Sequence, residues 1–151
     1  MAVVETHVAP FVLTHPLIQI GDDTTGVQIQ CMANEVKVEV DQDENKTETF
    51  CGSYTSYKAE VWTITITALQ SFGADGLETL VRPLVGTIQP FKLNGSADDP
   101  PDTVDNPTLS GDALVKAFDW MTAAVGETSD FDLVLAVQGQ PTETPPGTPL
   151  P

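Results

Sequence analysis

Two histidines, two cysteines and a few clustered carboxylates are the side chains that first invite a chemical reading of this sequence. His7 and His15 both lie in the N-terminal run, so a metal site built on them would have to borrow distant carboxylates. They read as incidental. Asp41, Asp43 and Asn45 copy the first three ligands of a calcium loop. The copy then fails, because Lys46 stands where the loop needs glycine and Gly52 where a bidentate glutamate should close the shell. The pairs Asp22-Asp23 and Asp98-Asp99 are adjacent in loops, whereas glycoside hydrolysis needs opposed carboxyls across a cleft. No serine sits in a nucleophile elbow, and no glycine-rich phosphate loop is present. Cys31 and Cys51 read as two free thiols rather than a stapled scaffold. These residues point to no enzyme, no metal and no cofactor.

Charge narrows the function further. The 151 residues carry 22 acids against 6 bases, a formal −16 with a pI near 4.1. Tight binding of DNA or RNA needs clustered Lys and Arg, and an anionic membrane would repel this surface. The length suits one domain, and 40% hydrophobic residues are enough for a core. The first twenty residues contain Glu5, Pro10 and Pro16 and lack a basic start. They read as neither a signal peptide nor a membrane span, and the chain is expected to be made in the cytoplasm and stay there.

The elements that must position any site follow a period of two. Residues 11–20 are apolar and β-prone, with Pro16 demanding an edge or a bulge. Residues 21–26 are turn chemistry, residues 27–31 alternate, and 32–34 read as a bulge or tight turn. In residues 35–41, Val36, Val38 and Val40 face one way, Glu35, Lys37 and Glu39 the other. Residues 41–57 form a polar stretch too long for an ordinary hairpin loop. In it Phe50, Tyr54 and Tyr57 are interleaved with Ser, Thr and Gly, as in a protein-contact surface or a loop folding back on its own core. Residues 58–71 give the clearest strand, with Trp62, Ile64 and Ile66 opposite a face of Thr63, Thr65 and Thr67.

Asp75 caps a short helix in which Leu77, Leu80, Val81 and Leu84 share a face, ended by Pro83 and Gly86. Residues 87–94 return to strand, and 95–107, with four acids and three prolines, form an exposed loop. Residues 109–125 fit a helix through Leu114, Phe118 and Met121. They fit a buried strand better, given β neighbours and the brackets Gly111 and Gly126. Residues 130–138 are a strand with Phe131, Leu133, Leu135 and Val137 inward. Residues 1–138 thus read as one domain and 139–151, with five prolines, as a flexible tail. Trp62 and Trp120 are expected in the core. The fold class is mainly β: a β-sandwich or partly open barrel of two packed antiparallel sheets with one short flanking helix.

This order of segments resembles the major tail protein, the tail tube subunit, of siphovirus-type bacteriophages. The likeness rests on residues 48–67, on the Gly-Leu-x-x-Leu of Gly76, Leu77 and Leu80, and on residues 126–141, and it spans roughly 27–141. It implies a β-sandwich whose copies form rings, six to a ring, stacked into a tube through which DNA passes without binding. It implies a virion tail protein assembled in the host cytoplasm, with its own copies and other tail proteins as partners and no membrane. In that family the long loop before the central strand contacts the neighbouring ring. Here that loop is 41–57, with Asp43, Glu44, Phe50, Tyr54 and Tyr57 as its contact residues. Glu35, Glu39 and Asp41 are expected to face the bore, where carboxylates repel DNA and basic residues would add friction. A capsid decoration or head–tail connector protein is the nearest alternative, and a ligand-binding β-sandwich, with Phe50, Tyr54 and Tyr57 as its only aromatic candidates, is the next.

Overall fold

The computed structural model describes residues 3, 5 and 9–144. Its strands in chain order are β1 (Leu17–Ile20), β2 (Val27–Gln28), β3 (Ala33–Asp41), β4 (Glu44–Thr49), β5 (Gly52–Tyr57) and β6 (Val61–Leu69). After β6 come helix α1 (Leu77–Val81) and a 3-10 turn, Arg82–Leu84. The remaining strands are β7 (Ile88–Asn94), β8 (Thr108–Val115), β9 (Asp130–Val137) and β10 (Thr142–Thr144). All but β4 and β5 join one antiparallel sheet ordered β2-β1-β7-β8-β9-β6-β3, with β10 against β8. The mainly β class expected from the periodicity is the one observed.

Alternation along each strand makes one face of this sheet continuously apolar. Ile18 pairs with Leu93, Val115 with Leu135, Ile64 with Leu135 and Ile66 with Leu133 in register, so their side chains fall on the same side. A single apolar face must be covered, and the sheet covers it by curling over itself. Ile18 of β1 and Leu93 of β7 line one cleft together with Val36 of β3 and Trp62 of β6, strands from opposite ends of the order. The turn is made at β8. Its residues Ala113–Val115 pair with β9, and Thr108–Ser110 pair with β10 along the same edge. Ile64, Ile66, Leu133, Leu135 and Val115 are completely enclosed as a result.

Helix α1 and the segment after β8 close one end of the curl. Leu77 and Val81 are buried in the core, and Phe118 stacks on Phe131 with ring centroids 4.5 Å apart. Arg82 lies over the Phe118 ring at 3.9 Å and bonds the buried Glu78, which also accepts from Gln70. Arg82 beside it, more than any other group, holds the Glu78 carboxyl below its ordinary 4.5, against the desolvation of the site. A depressed carboxyl stabilises the fold above its unfolded value and loses that contribution as pH falls through the folded value. The wild type is therefore expected to be more stable than Glu78→Gln at pH 7. The gap in denaturant midpoint should close as pH drops below 4.5; a gap constant over that range would rule the ion pair out.

Five expectations are corrected. Asp75 does not cap α1, whose N-cap position is held by Gly76 with no side-chain cap bond. The polar stretch 41–57 is no loop: β4 and β5 pair through it as a hairpin, because its Thr, Tyr and Ser side chains suit extended backbone without needing burial. Residues 109–125 are strand only as far as Val115 and irregular beyond, where Phe118 turns down onto Phe131. Trp120 is 61% exposed rather than core, while Trp62 is half-buried against the core. Order also extends into the segment expected to be a flexible tail, since Thr142–Thr144 add to the part of β8 that β9 leaves uncovered. The rest of that segment, 145–151, lies outside the described residues.

Candidate functional site

Strand β3 carries all three of the acids expected to face the bore. Glu35, Glu39 and Asp41 occupy alternate positions opposite Thr67, Thr63 and Val61 of β6, on the face turned away from the core. The row is not purely acidic. Lys37 sits between them, bonded to Glu39 at 2.8 Å, and this bond more than any other influence raises its pKa. Thr67 donates to Asp132 of β9 at 2.8 Å, extending the band of carboxylates and hydroxyls across three strands. Beyond β3 the sheet ends. Among the described residues this nine-residue edge has no partner, and the opposite edge is the two-residue β2. Unpaired edges of this kind invite another chain.

The hairpin β4–β5 continues the same pair of strands outward. At its base the Lys58 N–H donates to the Asp43 carbonyl at 2.7 Å, and the Gln42 side chain donates to the Lys58 carbonyl. Thr49 and Gly52 close its turn around Phe50 and Cys51, with Gly52 at φ +138°, where a side chain is strained. Every residue of both strands is exposed. The hairpin therefore buries none of its own strand residues and projects from the β3–β6 pair.

The contact residues expected from the sequence do lie here, but not as one patch. Glu44 pairs with Tyr57 and Thr47 with Tyr54, which puts the two tyrosines on opposite faces of the ribbon. Phe50 stands fully exposed at the tip, not folded back on the core. The sequence signal for the hairpin was available in the density of Thr, Tyr and Ser ahead of and behind Gly52.

A different concavity was missed. The N-terminal segment Phe11, Leu13 and Pro16 lies along the open side of the curl and, with Ile18, Val36 and Trp62, lines an apolar cleft of about 400 Å³. Phe50, Tyr54 and Tyr57 take no part in it. The run of apolar residues before β1 was its only trace in the sequence. His15 is held near the cleft by Asp98 at 3.0 Å, and His7 lies outside the described residues. Asp41 and Asn45 belong to successive extended strands, a backbone path unlike a calcium loop. Among the described residues no group of three or more His, Cys, Asp or Glu could hold a metal, and no helix is long and apolar enough to cross a membrane. Cys31 and Cys51 are both exposed and not bonded to each other.

No protein-family model matches the chain, and no curated protein matches it. Solved structures do. A chain from the tail of an empty gene transfer agent particle, refined helically with C6 symmetry, superposes at a TM-score of 0.58. The two are 11% identical, over 83% of this chain and 92% of that one. A chain from the virion of the native gene transfer agent particle gives a TM-score of 0.59 at 12% identity, over 86% and 95%. The chain shares the fold of these particle subunits, which agrees with the tail-protein resemblance of its sequence.

Proposed function

We propose that the protein is a tail tube subunit, six copies closing into a ring and rings stacking into a conduit for DNA. The observation that carries this reading is the fold shared over 83% of the chain with a subunit of a C6-symmetric tail. The open edge of β3 and the exposed hairpin support it, since both are surfaces a lone monomer has no use for. In such a ring β3 edges join neighbouring subunits, and the hairpin reaches the next ring through Asp43, Glu44, Phe50, Tyr54 and Tyr57. Heterologous contacts of this kind close into rings or extend without limit. Glu35, Glu39 and Asp41 line the bore. Six subunits at −16 bring a formal −96 to each ring, so the wall repels DNA and releases it freely.

Negative-stain images of the purified protein test the assembly. Stacked tubes are expected; discrete trimers or single rings would favour a decoration or connector protein, and a persistent monomer a ligand-binding domain. The lumen assignment has its own test. Tubes of the Glu35→Lys, Glu39→Lys variant should retain linear DNA, with retention weakening about a thousandfold between roughly 50 and 200 mM salt. Indifference to DNA in both the variant and the wild type would place these acids elsewhere.

A further inference from the structure

The end of the fold closed by α1 leaves two large rings uncovered. Phe72 and Trp120 meet edge to face, centroids 5.8 Å apart, and are 55% and 61% exposed. Their backing is firm. The Gln70 side chain donates to the Trp120 carbonyl, and Arg82 donates to the carbonyls of Phe118 and Asp119 just before it. The Ser129 hydroxyl donates to Gln70 and accepts from the Thr122 N–H, tying the far side of the same connection. Met121 and Val125, in the same connection, are also exposed.

The chain segments that carry the pair are acidic. Segments 70–82 and 116–132, which carry the patch, hold Asp75, Glu78, Asp119, Glu127, Asp130 and Asp132 against Arg82 and Lys116 alone, a net −4 (two minus six). Arg82 is already committed to Glu78 and to the Phe118 ring.

We propose that this patch is the docking surface for a different protein, one that presents basic and apolar side chains together. Aromatic faces attract ammonium and guanidinium groups, the carboxylate rim complements them, and exposed Trp, Phe and Met are the anchor types of protein interfaces. A second copy is a poor occupant. It would have to bring free basic side chains to this acidic patch, and its Lys37, Lys92 and Arg82 are bonded to their own chain's carboxylates. Lys46 and Lys58 share the hairpin and its base with Asp43, Glu44 and Glu48. The patch is read from the single chain, so the proposal does not depend on the tube reading.

The experiment uses the full chain and three labelled peptides: leucine and lysine at amphipathic helical spacing, the same with glutamate for lysine, and the same with serine for leucine. Fluorescence anisotropy is expected to show the leucine–lysine peptide binding about tenfold or more tightly than either control. Phe72→Ser with Trp120→Ser should weaken it about tenfold, and Asp119→Asn with Asp130→Asn should reduce its salt dependence. Should the serine variant fail to fold by circular dichroism, the asparagine variant decides, because both its positions are exposed. Equal binding of the serine–lysine peptide, or unchanged binding by the folded variants, overturns the proposal by reducing it to diffuse charge attraction. Loss of self-assembly in the serine variant overturns it equally, since the patch would then be a contact between copies.

Discussion

Excising residues 44–57 and rejoining Asp43 to Lys58 through a glycine or two is expected to leave a folded chain that no longer stacks. The cut is mild for the body of the protein. The Lys58 N–H already donates to the Asp43 carbonyl, so the new ends are adjacent, and the β3–β6 ladder stops short of the cut at Asp41 and Val61. No excised strand residue is buried, so the core and the thermal midpoint should be nearly unchanged. The loss falls entirely on association. Phe50→Ser alone should weaken it by about 2 kcal/mol per contact, the size of an interface hot spot. Repeated round a ring, that is enough to remove tubes at concentrations where the intact chain forms them. Electron microscopy and sedimentation read the result. Tubes of ordinary length from the excised chain would mean that the hairpin joins nothing.

The second large effect lies in the core. Leu133→Ala is expected to cost about 3 kcal/mol, visible as a lowered denaturant midpoint with an unchanged slope. Leu133 is fully enclosed and faces Ile66 across the β9–β6 ladder, near the middle of the curled sheet. Strands packed on it from two directions leave little freedom to collapse into the space that the three lost carbons leave behind. The neighbouring outward change Thr65→Ala removes only a half-exposed hydroxyl and should move the midpoint by less than about 0.5 kcal/mol. Equal costs at the two positions would mean that the curl does not enclose Leu133 as described.

Where one side of a strand is buried and the other wet, the sequence announces it. Trp62, Ile64 and Ile66 alternate with threonines, Phe131, Leu133 and Leu135 with Asp132 and Val134, and both strands appear where they are read. The short helix was legible for the same reason, since Leu77 and Val81 fall four apart ahead of Pro83. Burial that depends on distant chain was not legible. Trp120 reads as core by residue type, yet Phe118 takes the buried place and leaves it outside. Val38 and Val40 point the way their alternation predicts but stay partly exposed, because β3 is the last strand and the curl covers only its beginning. The hairpin escaped notice because twelve exposed residues leave no apolar rhythm to read.

The sequence by itself thus determined the β class, the inward face of each long strand, the acidic surface and the absence of any recognisable catalytic motif. These follow from local alternation and from charge, which need no knowledge of neighbours. Tertiary structure alone decided the strand order, the folding of one sheet over its own core and the cleft beneath the N-terminal segment. It alone decided the projection of β4–β5 and the exposed Phe72–Trp120 pair. Each of these depends on which segments, far apart along the chain, compete to cover the same apolar surface, and that competition is settled by packing rather than by the pattern of any one segment.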